Sequence, residues 1–114
     1  MSAYVRSFTG EIIYRFESGE IRSFAGQILY RYDNRYLRSY TGEILYRFEN
    51  DAIRTFTGQI LCRFDGQYLR SFTGEILCRY DSGCVRSFTG QILYRIDGSF
   101  SKTDLMALFA VIKG

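Results

Sequence analysis

Apolar and polar positions alternate along most of this chain with a period of two, and the alternation restarts every sixteen residues. Runs such as Tyr4-Val5-Arg6-Ser7-Phe8 and Ile12-Ile13-Tyr14-Arg15-Phe16 are rich in β-branched and aromatic residues and read as strands. The unit begins at Tyr4, Glu20, Tyr36, Ala52, Tyr68 and Cys84 and reads roughly Y-[VIL]-R-S-F-T-G-[EQ]-I-L-Y-R-F-D-x-x, six copies without insertion or deletion. A fixed period of this kind specifies a repeat architecture. After the sixth copy the alternation stops, and Leu105 to Ile112 is apolar throughout.

Turn chemistry separates the two strands of each copy. A glycine follows Thr9 and recurs at 26, 42, 58, 74 and 90, as a backbone position of positive φ in a tight hairpin requires. The second turn is looser: Ser18-Gly19, Asn34-Arg35, Asn50-Asp51, Gly66-Gln67, Ser82-Gly83 and Gly98-Ser99, each preceded by Asp or Glu. Six copies therefore predict twelve short strands in an up-and-down meander. With two-residue turns, Val5, Ser7, Thr9, Ile12, Tyr14 and Phe16 and their equivalents share one face. The opposite face collects Tyr4, Arg6, Phe8, Glu11, Ile13 (usually Leu), Arg15 and Glu17. That face carries two arginines per copy and cannot form a dry core, so the first face turns inward.

A parallel solenoid with sixteen-residue coils is the main rival. It would stack Arg6, Arg22, Arg38, Arg54, Arg70 and Arg86 at ~4.8 Å, and form a second ladder from Arg15 onward. In a meander the equivalents lie on every second strand, about twice as far apart. The arginine columns favour the meander. A β-trefoil also has six hairpins, but they play two structural roles, whereas these copies are nearly interchangeable.

The tail supports closure. Ser101 and Asp104 stand at capping-box spacing ahead of Leu105-Met106-Ala107-Leu108-Phe109-Ala110-Val111-Ile112, which predicts a helix over 101–113. Eight apolar residues are too few to span a bilayer, which takes ~20, and a helix without a polar face must be surrounded. Twelve strands at ~4.8 Å and a tilt near 40° enclose a radius of about 10–12 Å, room for one axial helix. The expected fold is mainly β: a closed twelve-stranded antiparallel barrel, one domain over 1–114. Its core helix contributes Leu105, Met106, Leu108, Phe109, Val111 and Ile112.

Six hairpins around a hydrophobic C-terminal helix resemble the tubby C-terminal-like architecture shared by tubby, phospholipid scramblase and LURP-one-related proteins. Short repeats of the type [IL]-x-[YR]-x-F-[DT]-G, ending in S-x-x-D-L-M-A-L-F-A-V-I, resemble more closely the bacterial β-flower family of small symmetric hairpin barrels. The resemblance covers essentially the whole chain and rests on repeat pattern and architecture. It implies the barrel and, through the tubby and scramblase side, contact with lipid. No residue of tubby's lipid-head-group site has a counterpart here.

Composition narrows the chemistry. An apolar share of 46% argues against disorder, and the absence of proline suits a chain committed to a ladder. The net charge of +3 conceals a bias, since thirteen of the fifteen bases are arginine. MSAYVRS lacks the apolar run of a secretory signal, and three cysteines fit a reducing compartment. A cytoplasmic protein, at most peripheral to a membrane, is therefore expected.

There is no histidine, which excludes His-based triads and His-ligated metals, so no enzyme, cofactor or metal site is expected. Cys62 and Cys78 stand where Tyr14, Tyr30, Tyr46 and Tyr94 stand in other copies; they make room, either blandly or for a large helix side chain such as Phe109 or Met106. The carboxylates Glu17, Asp33, Glu49, Asp65, Asp81 and Asp97 read as turn formers neutralised by the arginine two positions earlier.

The arginine columns are the candidate site: Arg6, Arg22, Arg38, Arg54, Arg70 and Arg86, with Arg15, Arg31, Arg47, Arg63, Arg79 and Arg95. One role is structural, guanidinium planes lying over the aromatic outer face. The other is anion binding, with anionic lipid head groups or a membrane surface ranked ahead of nucleic acid. A third class is a structural homo-oligomer, given the apolar load of the outer face. Glu11, Gln27, Glu43, Gln59, Glu75 and Gln91 alternate, and Tyr opens every second copy, so a 32-residue superperiod gives threefold pseudo-symmetry.

Overall fold

A computed structural model describes residues 2–49 and 51–113; the turn reading at Asn50, and the outermost residues Met1 and Gly114, lie outside the described residues. The strands are β1 (Ser2–Ser7), β2 (Ile12–Glu17), β3 (Glu20–Ser23), β4 (Ile28–Tyr32), β5 (Tyr36–Ser39) and β6 (Ile44–Glu49). They continue as β7 (Ala52–Thr55), β8 (Ile60–Phe64), β9 (Tyr68–Ser71), β10 (Ile76–Asp81), β11 (Cys84–Ser87) and β12 (Ile92–Asp97), followed by α1 (Lys102–Lys113). Each strand pairs antiparallel with its neighbours in sequence, and β12 returns to β1 with Val5 opposite Ile96, closing a twelve-stranded barrel. The ring is wide and low, 37 × 33 × 18 Å across its Cα atoms. Twelve helical residues rise about 18 Å, so α1 matches its short dimension.

Each copy of the repeat is one petal, and its glycine turn differs from the two-residue turn expected. Gly10 N–H donates to Ser7 O at 2.9 Å and Ser7 N–H to Glu11 O at 2.8 Å, and the same pair of bonds recurs in every petal. The loop is thus Phe8-Thr9-Gly10, a type I turn closed by glycine at φ 101°. A Cβ at Gly10 would meet nothing within 4 Å, so glycine stands there for its backbone alone. Phe8 and its equivalents accordingly leave the strand wall for the turn tips, and Thr9 is exposed rather than inward.

A β-bulge follows in every hairpin. Val5 faces Tyr14, but Arg6 faces Ile12, skipping Ile13. One extra residue reverses the faces beyond it. The Ile12 column therefore joins Arg6 on the outer wall, where Ile44 and Ile76 are exposed. The column expected outside turns toward the core, with Leu61 and Leu77 packed against it.

At the opposite end, Ser18-Gly19 and Ser82-Gly83 form two-residue turns with positive φ at both positions. Asp33 accepts the N–H groups of Arg35 and Tyr36 at 2.9 and 2.8 Å, and Asp65 those of Gln67 and Tyr68. Partial burial works to raise Asp33, but these N–H groups and the Arg38 and Arg35 charges outweigh it and hold its carboxyl below the ordinary value. Each such turn is stitched to the next petal. Tyr32 N–H donates to Gly19 O at 2.7 Å, so close that a Cβ on Gly19 would sit 2.9 Å from Tyr32 O. We call this end the base and the glycine-turn end the crown.

The core lies between wall and helix. Val5, Ile21, Leu37, Ile53, Leu69 and Val85 form a ring with no more than 1% exposure, one residue per petal. Phe16, Phe48 and Phe64 fill the next level toward the base, and Leu105 to Ala110 are buried against them. The helix starts as its sequence predicts: Ser101 N–H donates to Asp104 Oδ2 at 2.9 Å, and Asp104 N–H to Ser101 Oγ at 3.1 Å. The Tyr32 hydroxyl donates to Asp104; burial, then this bond, pushes the phenol well above its ordinary value. Val111 and Ile112 are only half-buried, because the helix end emerges into the crown mouth beside Phe56.

Phe109 is fully buried with its ring 5.0 Å from Phe64, on the strand that also carries Cys62. Burial pushes the Cys62 thiol up to about 11. Restoring the bulk of the other petals, with Cys62→Tyr and Cys78→Tyr together, is expected to destabilise the barrel by about 1–3 kcal/mol, the usual cost of overpacking. Urea denaturation checks this; an unchanged midpoint would mean that the two gaps hold nothing.

Candidate functional site

All twelve repeat arginines stand on the outer wall, and the register places them in pairs. Arg15 faces Arg22, Arg31 faces Arg38, Arg47 faces Arg54, Arg63 faces Arg70, Arg79 faces Arg86 and Arg95 faces Arg6. Like charges directly across a ladder are unfavourable unless something separates or neutralises them. The two columns resolve this differently.

The first column is tied to the crown turns. Arg6 Nη1 donates to Gly10 O at 2.9 Å, and Arg22, Arg38, Arg54, Arg70 and Arg86 make the equivalent bond. Three of these also meet base carboxylates: Arg6 with Asp97, Arg22 with Glu17 and Arg54 with Glu49. These three acids thus pair across the seam between petals, not with the arginine two positions earlier. Arg22 further meets Glu20 at 2.6 Å. These are half-exposed pairs, each worth ~0–1 kcal/mol.

The second column splits by the superperiod. Tyr4 faces Arg15, Tyr36 faces Arg47 and Tyr68 faces Arg79 across the hairpin, and these three arginines are half-buried. Arg15 lies 5.9 Å from the Tyr4 ring centroid, with its Nε buried and without a hydrogen-bond partner. In the alternate petals the facing residues are Glu20, Ala52 and Cys84. There Arg31, Arg63 and Arg95 are exposed, and among the described residues they have no hydrogen-bond or ion-pair partner. Three open guanidinium groups therefore stand at threefold positions.

The crown is the element that sequence reasoning placed elsewhere. Phe8, Phe24, Tyr40, Phe56, Phe72 and Phe88 are between 62% and 70% exposed, one on each turn tip. Within the mouth they surround, Val111 and Phe56 share a hollow of about 480 Å³ with Tyr30, Leu37, Leu45 and Tyr46. Tyr14 belongs to the same inner ring; burial, then neighbouring Tyr30 and Tyr94, raises its phenol. The available signal was the spacing Ser-aromatic-Thr-Gly, which fits a three-residue loop as well as a two-residue one.

Charge is polarised along the barrel axis. Of the twelve acids, nine lie at the base, where Arg35 and Lys102 stand and where Arg6, Arg22 and Arg54 reach down to Asp97, Glu17 and Glu49; the remaining three are Glu11, Glu43 and Glu75 at the crown. Among the described residues no group of three acidic or cysteine side chains is placed to hold a metal ion, and no helix is long and apolar enough to cross a membrane. Comparison with family models, curated proteins and solved structures returned no match.

Proposed function

We propose that this barrel is a non-enzymatic module that binds an anionic membrane surface from the cytoplasmic side, consistent with the β-flower and tubby-like character of its repeats and tail. The observation that carries this reading is the set of open arginines, Arg31, Arg63 and Arg95, each exposed and directly across from a second arginine. The pairs Arg31 with Arg38 and Arg63 with Arg70 have no ion-paired carboxylate among the described residues and are suited to a bridging phosphate, which accepts bidentate bonds from both, whereas Arg6 opposite Arg95 already meets Asp97. Each arginine near an anionic surface contributes about 1 kcal/mol. Replacing the three with glutamine is therefore expected to weaken binding by about 3 kcal/mol, on the order of 100-fold. Co-sedimentation with phosphatidylserine-containing against pure phosphatidylcholine vesicles, across a salt series, tests it. No anionic preference at low salt would sink the reading.

A second reading is a homo-oligomeric structural protein with no small-molecule ligand. Exposed Ile44 and Ile76 on the outer wall favour it, since side-by-side packing would cover them. A light-scattering mass above one chain is the result that would promote it.

A further inference from the structure

The superperiod sorts both the wall arginines and the crown turns, and the two sortings fall on the same petals. The petals with open Arg31, Arg63 and Arg95 are also those whose crown turns close on Gln27, Gln59 and Gln91. Their tips are Phe24, Phe56 and Phe88, all phenylalanine, on turns that carry no carboxylate of their own, although Glu11 of the neighbouring petal shares a hollow with Phe24. In the other three, Phe8, Tyr40 and Phe72 stand beside Glu11, Glu43 and Glu75, and the second-column arginine is covered by tyrosine.

We propose that the barrel docks crown first on an anionic bilayer, with Phe24, Phe56 and Phe88 entering the lipid interface as a tripod. This rests on the membrane reading above and adds the contact face and the inserting residues; Arg31, Arg63 and Arg95, level with Glu20, Ala52 and Cys84, then stand on the side wall toward the base, away from the inserted tips. Three tips spread around a ring define a plane, which suits a bilayer better than a groove-seeking peptide. The tips are also prepared for a drier medium. The turn bonds its own backbone, Ser7 Oγ and Thr9 Oγ1 lie 2.9 Å apart, and the arginine takes the glycine carbonyl, with matching bonds in most petals. Few polar groups then lose hydration on insertion. Arg22, Arg54 and Arg86 hold the carbonyls of Gly26, Gly58 and Gly90 behind these rings; Arg22 and Arg54 also meet Glu17, Glu20 and Glu49, so lipid phosphate would compete with those carboxylates there and meet Arg86 unopposed.

Charge polarity sets the orientation. The acidic base is repelled by an anionic leaflet and the crown is drawn to it. A second copy is a poorer occupant. Crown against crown opposes like charges, and crown against base brings the rings to a surface where, among the described residues, none of the large exposed apolar side chains lies.

The chain has no tryptophan, so Phe56→Trp supplies a single reporter at a tip and Gln67→Trp one at the base. On phosphatidylserine-containing vesicles, Phe56→Trp should shift to the blue and be quenched by brominated lipid, while Gln67→Trp should not. The triple variant F24S/F56S/F88S should bind more than about tenfold more weakly, and F8S/Y40S/F72S should lose much less. Thermal melts of both triples confirm folding, which such exposed positions barely influence. Equal losses in the two triples, or equal quenching at base and tip, would overturn the tripod while leaving the membrane reading in place. If the wild-type chain ignored both vesicle types, both would fall. A light-scattering mass that drops to one chain only in F24S/F56S/F88S would overturn the tripod in favour of crown-to-crown or crown-to-base assembly.

Discussion

Phe109→Ala is expected to destabilise the barrel by about 3–5 kcal/mol, the upper range for truncating a buried aromatic. The ring is fully buried and tilted against Phe64 at 5.0 Å, inside a wall hydrogen-bonded all the way round. The cost of a truncation depends on how far the surroundings collapse into the space. A closed wall cannot contract locally without breaking ladder bonds, and α1 cannot shift sideways without opening a gap on its other side. The cavity should therefore persist. In urea the midpoint should fall with little change in slope, since the surface exposed on unfolding is nearly the same. Phe8→Ala serves as the contrast. The same residue type on a turn tip, 63% exposed, should change stability by no more than about 0.5 kcal/mol. Similar effects at the two positions would mean that α1 is not the core.

Much of this fold can be read from one period and one tail. Strand number, antiparallel order and the inward ring of Val5, Ile21, Leu37, Ile53, Leu69 and Val85 follow from alternation, because no other face is free of charge in every copy. Closure follows because Leu105 to Ala110 has no polar side and must be enclosed. The errors share one cause. Gly10 signals positive φ, but two-residue and three-residue turns both use such a glycine, and the longer loop brings a bulge. That one residue sends Phe8 to the tip, Ile12 outward and Leu61 inward, so the most exposed aromatic residues stand on turn tips where alternation alone expects them in the strand wall. The carboxylate partners differ from the expected ones for a related reason. Glu17 and Arg15 share a strand, but Arg22 across the seam reaches the carboxylate. The superperiod was visible as letters, but its meaning needed register. Tyr4 covers Arg15 only because the hairpin sets them opposite, leaving Arg31, Arg63 and Arg95 uncovered.

Deleting one complete repeat, residues 52–67, is expected to abolish cooperative folding, although every local rule of the fold would still be satisfied. The remaining five copies keep their turns, their alternation and an even number of strands, so the last strand still meets the first antiparallel. Only size changes. At fixed spacing and tilt the barrel radius follows the strand number, so its cross-section falls by roughly 30% on going from twelve strands to ten. The contents shrink far less. The deletion removes one petal's share of inward side chains, chiefly Ile53, Cys62 and Phe64, and leaves the whole of α1 in place. Interiors are already packed near crystal density, so the excess cannot be absorbed by rotamer adjustment. The shortened chain must either expel the helix, exposing Leu105 to Ala110, or fail to close and leave open strand edges. Loss of the sharp thermal transition, with dye binding to exposed apolar surface, is the expected outcome. A five-repeat chain that melted at the wild-type temperature would show that helix and ring are not matched in size. Removing the tail in addition to the repeat distinguishes the two failures. If expulsion of the helix is the obstacle, the doubly shortened ring should close better than the singly shortened one; if closure itself is, the second truncation should make no difference.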